Sequence, residues 1–164
     1  MIQLLSVEGA KERSTLHQLE EAISTDLLAS LREAVVALFG PSVSAILLFK
    51  LGELLGVKES RRLIVPDSSI QSQLTRVFSG IRYGRVSLVL FNPYEVEGRV
   101  RVENLIDRDG LIMVEGDGGG VGCYFYKGLI KGVVSTVIKS NIAVYEVKCS
   151  LKGSPYCEYH FCRR

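Results

Sequence analysis

The sequence predicts an α+β fold, with N-terminal helices packed on an antiparallel sheet, then a further helix and a C-terminal hairpin. Three observations predict it. Apolar residues recur at helical spacing up to about residue 79, and they alternate at every second position between 86 and 115. A helical stretch from 123 is then followed by two short strand-like segments. The predicted order is three helices, three strands, one helix and two strands.

Helices make up the first half of the prediction. Apolar residues recur at helical spacing over 16–31, and Ser24-Thr25-Asp26 is a point at which this helix could divide. Gly40-Pro41-Ser42 ends one helix and starts the next, and Asp67-Ser68-Ser69 offers an N-cap for a third. The predicted segments are a short extension at 1–13 and helices at 15–39, 43–57 and about 69–79.

Strands follow where the apolar period changes to two. The turn sequences Asn92-Pro93 and Asp107-Arg108-Asp109-Gly110 separate three alternating segments, which predicts an antiparallel meander. Five glycines in residues 116–122 predict a flexible loop. The predicted segments are strands at 86–90, 100–104 and 111–115, a helix at 123–139, and a hairpin of 142–149 with 156–161.

Composition limits the class of protein. The chain has 164 residues, 47% hydrophobic and 23% charged, which is typical of one soluble domain. A net charge of +2 is too small to predict nucleic-acid or anionic-membrane binding. No continuous apolar run reaches 18 residues, so we expect no membrane span. Four cysteines without a secretory leader predict a reducing, cytoplasmic setting.

Three cysteines suggest a metal site. Cys149 and Cys157 bracket a loop with Gly153 and Pro155, whose tight turn would bring both sulfurs to one point, and Cys123 opens the preceding helix. Thiolates gathered in this way suit zinc above other metals. Two alternatives stay open, because buried cysteines often only pack and a Cys149–Cys157 disulfide would also close the loop.

Strand periodicity separates the remaining candidates. Cys157 shares one strand face with Tyr159 and Phe161, whereas His160 and Cys162 point to the other face and are not expected to be ligands. Glu146 and Cys149 have opposite parity, so both reach one metal only if a bulge or the end of the strand intervenes. His17, on an early helix, is expected at the surface.

The same C-terminal stretch resembles a known family. Residues 128–132 (GLIKG), 145–149 (YEVKC) and 152–159 (KGSPYCEY), with the weaker 47–56 (LLFKLGELLG), resemble the 4-vinyl reductase-type domain. This small ligand-binding module is related in fold to the TRAPP tethering subunits. The resemblance covers about residues 28–162, which leaves 1–27 as an N-terminal extension and first helix.

The resemblance implies a ligand set and a TRAPP-like fold. In phenol-sensing relatives three cysteines and a glutamate hold zinc, and the matching positions here are Cys123, Glu146, Cys149 and Cys157. A closed shell of four protein ligands is structural, since catalytic zinc keeps a position open for water. The relatives hold phenol with a His and a Trp; this chain has no Trp, so phenol is not predicted.

No catalytic constellation is found, so no enzymatic activity is predicted. The glycines at 116–122 lack the Lys-Ser/Thr of a P-loop, and no Rossmann acidic residue follows them. We expect a module that senses or carries a small hydrophobic ligand in an apolar cavity between helix 43–55, helix 123–138 and the strands. Loop 116–122 would be its lid, and the candidate polar anchors are Tyr83, Tyr94, Tyr124 and Tyr126.

Two other functions stay open. One is a tethering or assembly subunit that acts through protein contacts, and the other is an accessory protein for reduction of a tetrapyrrole vinyl group, which the resemblance suggests. A homodimer is expected from the resemblance and from Gly128 and Gly132, which share one helix face. A sensor of this kind would pass its output to a separate protein partner.

Overall fold

The computed structural model describes residues 4–103 and 120–164, with side chains from residue 26 onward. Within these ranges, four helical segments and four strands build an α+β fold, as predicted. They are α1 (Leu4–Leu63), α2 (Ile70–Ser79), β1 (Arg85–Asn92), β2 (Glu97–Glu103), α3 (Val121–Ile138), β3 (Ile142–Lys148), the 3₁₀ turn Ser150–Lys152 and β4 (Cys157–Arg163).

Helix α1 is kinked at Gly40, as the Gly-Pro sequence predicted. Gly40 has φ 73° and ψ 169°, a conformation open to glycine, and Pro41 starts the helix again. We call residues 4–39 the first arm and residues 41–63 the second arm. The first arm is helical from Leu4 with no break at 24–26, and the second arm passes the predicted end at 57 to reach Leu63.

Helix α2 begins at the predicted cap. Ser69 lies just before the helix in an extended conformation, and its Oγ accepts a hydrogen bond of 3.2 Å from the Ser72 backbone N–H. The helix buries Leu74, Val77 and Phe78.

The sheet is antiparallel throughout, with strand order β1-β2-β4-β3. Strand β2 lies between β1 and β4, so the predicted three-strand meander is wrong at this position. The reason is that β4, more than 50 residues along the chain, takes the edge of β2 that a sequential neighbour would have used. The predicted strand at 111–115, the turn at 107–110 and most of the glycine loop lie outside the described residues.

Helix α3 packs between α1 and the sheet, and its contact with the second arm of α1 is made by glycines. A Cβ at Gly128 would overlap the Phe49 carbonyl and lie 2.9 Å from the Glu53 nitrogen. Gly52, Gly56 and Gly132 are equally crowded by the opposite backbone. The prediction that Gly128 and Gly132 form a dimer contact is therefore wrong, because α1 of the same chain occupies that face.

By length and composition, two helical stretches among the described residues could cross a membrane. In Val121–Ile138 the apolar window is 61% buried, which is typical of a core helix. In Asp26–Leu63 only 17% of the window is buried, and the kink at Gly40 interrupts it. Because these windows pass although no continuous apolar run is long enough, the absence of a membrane span stays a prediction.

Candidate metal centre

The structure brings together the four residues singled out by the sequence. Cys123, Glu146, Cys149 and Cys157 each place one sulfur or carboxylate oxygen within 4.8 Å of the others. They come from the start of α3, from β3, from the residue after β3 and from the start of β4. Residues far apart in the chain therefore converge where a helix end meets a hairpin turn.

Helix α3 delivers Cys123 at its first turn. Its backbone N–H donates to the Gly120 carbonyl at 2.9 Å, and its Sγ lies 3.7 Å from that of Cys149. Gly120 caps the helix without a side chain because a Cβ there would overlap Leu151 of the 3₁₀ turn. The absence of that Cβ lets the turn approach the sulfur of Cys123.

The loop between Cys149 and Cys157 is a tight turn, as its glycine predicted. The Cys149 carbonyl accepts from the N–H groups of Lys152 and Ser154, and Gly153 closes the 3₁₀ turn with φ 89°. The Ser150 N–H in turn donates to the sulfur of Cys157 at 3.2 Å. This turn orders the two sulfurs and supplies a hydrogen bond that favours thiolate at Cys157.

Glu146 reaches the cluster through a strand irregularity, as the parity argument required. The β3–β4 register shifts between Glu146 and Lys148, and β3 ends before Cys149. Glu146 Oε1 is buried and has no hydrogen-bond partner among the described residues. A buried, unsatisfied carboxylate oxygen beside three sulfurs fits a metal ligand, because buried polar atoms normally have partners.

The cluster is electrostatically unfavourable without a cation. A hydrogen bond from Cys123 and a second from Ser150 lower the pKa of Cys157 to about 6. The same bond with Cys157, together with burial, raises the pKa of Cys123, and burial followed by repulsion from Glu146 raises the pKa of Cys149. Four acidic groups around one buried point repel each other when ionised, and a divalent cation would offset this cost.

Sulfur spacing also fits a metal better than a disulfide. Two thiolates on a tetrahedral zinc with Zn–S of ~2.3 Å lie about 3.8 Å apart, close to the 3.7 Å between Cys123 and Cys149. All four cysteines of the chain are free thiols. His160 and Cys162 lie outside the cluster on the less buried side of β4, and His17 falls where side chains are not described.

An apolar pocket lies next to the metal cluster, at the start of α3. Its walls are Leu28, Ala29, Arg32, Leu48, Gly122, Phe125 and Tyr126. Only about 20 Å³ of it takes the centre of a water molecule, which is room for about one water. The predicted cavity along helix 43–55 is therefore misplaced, since glycine contacts close that crossing and the space lies beside the first arm.

Comparison with known proteins identifies the C-terminal region. Residues 102–162 match the family model of the vinyl-4-reductase domain. This part of the chain is a vinyl-4-reductase domain. It contains the whole Cys/Glu cluster, and the 4-vinyl reductase-type resemblance is confirmed.

Solved structures share the fold of this vinyl-4-reductase-domain chain at low sequence identity. The phenol-responsive sensory domain of the transcription activator PoxR, solved with phenol, aligns with TM-score 0.71 and 18% identity, over 85% of this chain and 74% of that one. A trafficking protein particle complex subunit 3 from Naegleria fowleri, covalently bound to palmitic acid, aligns with TM-score 0.62 and 14% identity, over 87% and 96%. These two confirm the TRAPP-like fold.

A vinyl-4-reductase family protein from Methanocaldococcus jannaschii aligns less well, with TM-score 0.47 and 16% identity over 71% of this chain and 68% of that one. No curated protein sequence matches the chain.

Lysines surround the open side of the cluster in the vinyl-4-reductase domain. A cleft of about 340 Å³ is bordered by Lys127, Lys148 and Lys152 together with Cys149 and Glu146. Three thiolates and one carboxylate around a divalent cation would carry two net negative charges. The lysines would offset that charge from outside the ligand set, a contribution that residue types in the sequence did not reveal.

Sequence reasoning also missed Ser150 and Tyr159. The Tyr159 hydroxyl is buried and donates to the Cys123 carbonyl at 3.4 Å, and burial raises the pKa of Tyr159. Only its parity with Cys157 pointed inward. Of the tyrosines considered as polar anchors, Tyr126 lines the apolar pocket, whereas Tyr94 is 95% exposed.

Proposed function

We propose that the chain is a zinc-stapled module that binds a small hydrophobic molecule and has no catalytic activity of its own. The single observation that carries the metal part is the cluster of Cys123, Glu146, Cys149 and Cys157, with ligand atoms within 4.8 Å of one another. Zinc suits this donor set because thiolates select it over harder cations.

Zinc here would be structural. Four protein ligands leave no position for a reactive water. The ion would tie the start of α3 to the turn between β3 and β4, which is also where the apolar pocket lies. Metal loading would thus hold one wall of the pocket in place.

The apolar pocket supports the ligand part of the proposal. Phenol and palmitic acid accompany two proteins of the same fold, and this pocket is lined mainly by apolar side chains. A hydrophobic ligand larger than one water would enter only if Phe125 or Leu48 changed rotamer. We further propose that the module works in the cytoplasm and signals to a separate protein partner.

Native mass spectrometry of gently purified, untagged protein tests both parts. We expect one zinc per chain and a bound apolar molecule that is released on denaturation. Elemental analysis giving less than about a tenth of an equivalent of zinc would reject the metal centre. Protein that carries zinc and no ligand, and binds none from a panel of aromatic and aliphatic compounds, would reject the ligand part alone.

An assembly subunit is the second candidate, and two observations favour it. The pocket is small, and the first arm and the start of the second carry several exposed apolar side chains. Copurification of a stoichiometric partner with ligand-free protein would favour this function. No observation among the described residues favours the tetrapyrrole accessory role.

A further inference from the structure

Helix α1 has an uncovered apolar face. Eight of its large apolar side chains are between 40% and 74% exposed. They are Leu27, Leu31, Leu38, Phe39, Val43, Ile46, Leu47 and Leu54. Scattered exposed apolar residues are ordinary, but a contiguous row of this length on one helix marks an interaction surface.

The spacing of this face is repeated on both sides of the kink. In the first arm Leu27, Leu31, Ala34 and Leu38 are exposed at steps of four, three and four residues. In the second arm Val43, Leu47, Lys50 and Leu54 are exposed at the same steps. Such steps give a narrow seam of the kind that packs against another helix. Two matched seams separated by Gly40 give α1 a surface that can pair with itself.

Charge along α1 is complementary between the two arms. Asp26 and Glu33 are exposed in the first arm, where Arg32, the one basic residue with a described side chain, is buried. The exposed charges of the second arm are basic, namely Lys50, Lys58, Arg61 and Arg62, while its two glutamates are mostly buried and paired within the chain. An antiparallel copy would place an acidic arm opposite a basic one.

We propose that the outward face of α1 is the dimer interface, with the first arm of one chain lying antiparallel on the second arm of the other. At roughly 100 Å² of exposed area for each of the eight side chains, the face approaches the ~800 Å² per partner of a standard interface. Pairing Leu27 with Leu54 and Leu38 with Val43 places Glu33 within one turn of Lys50 of the second copy. This inference is independent of the zinc and of the ligand.

A membrane surface is the competing occupant, and two features oppose it. The exposed charges of the first arm are acidic, which repels anionic headgroups. The backbone at Gly40 is not helical, and irregular backbone is costly in lipid. Neither feature opposes a protein partner.

Light scattering at micromolar concentration tests the interface. Wild-type protein is expected at about 36 kDa, twice the chain mass of 18.1 kDa. Leu38→Glu and Leu54→Glu should each weaken the dimer at least tenfold and leave thermal stability of the monomer unchanged. Leu90→Glu is the matched control, because Leu90 on β1 is 57% exposed and Leu54 is 58% exposed.

Charge reversal tests the orientation. Glu33→Lys and Lys50→Glu should each weaken the dimer, and the double variant should restore it, because the two charges would again be opposite. A monomeric wild type, a dimer that Leu54→Glu does not weaken, or a double variant weaker than both singles would overturn the proposal. Binding of wild-type protein to neutral or anionic lipid vesicles that Leu54→Glu abolishes would also overturn it.

Discussion

Glu146 shows how one residue depends on its surroundings. Its side chain sits in a strand whose regular pleat would turn it away from Cys149, and the register shift after it turns it back. Its buried oxygen has no hydrogen-bond partner in the described part of the chain. A position of this kind is costly unless something binds there, so its chemistry can be tested by removing the charge and keeping the shape.

Glu146→Gln should have opposite effects on the metal-bound and metal-free protein. Without metal, the change removes a charge that repels the neighbouring thiolates, so the free energy of unfolding should rise by about 1 kcal/mol. With zinc, a ligand is lost, and the affinity for zinc should fall at least tenfold. Urea unfolding with and without a chelator, plus competition titration with a zinc indicator, measures both. Equal effects in the two states would contradict a ligand role.

Cys149→Ser should abolish stoichiometric zinc and lower stability by several kcal/mol. The loss should be smaller than the ~10 kcal/mol typical of metal-dependent peptides, because the core of α3 and the sheet persists without metal. Elemental analysis and thermal unfolding measure the two effects. Cys162→Ser is the control, since that thiol lies outside the cluster. Loss of zinc in the control would show that the ligand set is wrong.

At the scale of elements, the crossing of α1 and α3 depends on side chains that are missing. Gly128→Ala should destabilise the chain by about 1–3 kcal/mol, because the new Cβ overlaps the Phe49 carbonyl and forces the helices apart. The sign is diagnostic, since the same change in an exposed helix stabilises by about 1 kcal/mol. Chemical denaturation measures it, and zinc content should not change. A neutral or stabilising result would show that the two backbones are not in contact.

An ion pair across the same crossing gives a pH dependence. The hydrogen bond from Lys50, followed by that from Lys131 on α3, lowers the pKa of Glu53 below its usual 4.5. A lowered folded-state pKa adds stability above about pH 4.5 that is lost as the pH falls through the folded value. Glu53→Gln should therefore cost about 1 kcal/mol at pH 7 and almost nothing in strong acid. A cost independent of pH would point to packing instead.

At the scale of the whole molecule, the metal centre and the helical layer should respond separately to chelation. Removing the metal frees the start of α3 from the β3–β4 turn, whereas the glycine crossing lies about one to two helical turns away and keeps its contacts. Hydrogen exchange after chelation should speed up around 120–126 and 149–157, and little in the second arm. Uniform loss of protection throughout the chain would mean that zinc holds the entire fold together.

Local sequence signals predicted most elements. The cap at Ser69, the kink at Gly40, the turn at Gly153 and the inward face of Cys157 each depend on a few neighbouring residues, so they could be read from the pattern. The four cluster residues came from the turn between two thiols and from the family resemblance. Pattern alone left Glu146 open, because a bulge has no reliable sequence signal.

Long-range pairing was decided by the tertiary structure. The order β1-β2-β4-β3, the use of the Gly128 face by α1 and the position of the small apolar pocket all join residues far apart in the chain. Periodicity tells which face of an element is buried but not which element covers it, because any apolar partner of suitable shape would satisfy the same pattern. The sequence by itself therefore determined the elements and the metal-ligand candidates, whereas packing competition in three dimensions decided which faces were buried within the chain and left the outer face of α1 exposed.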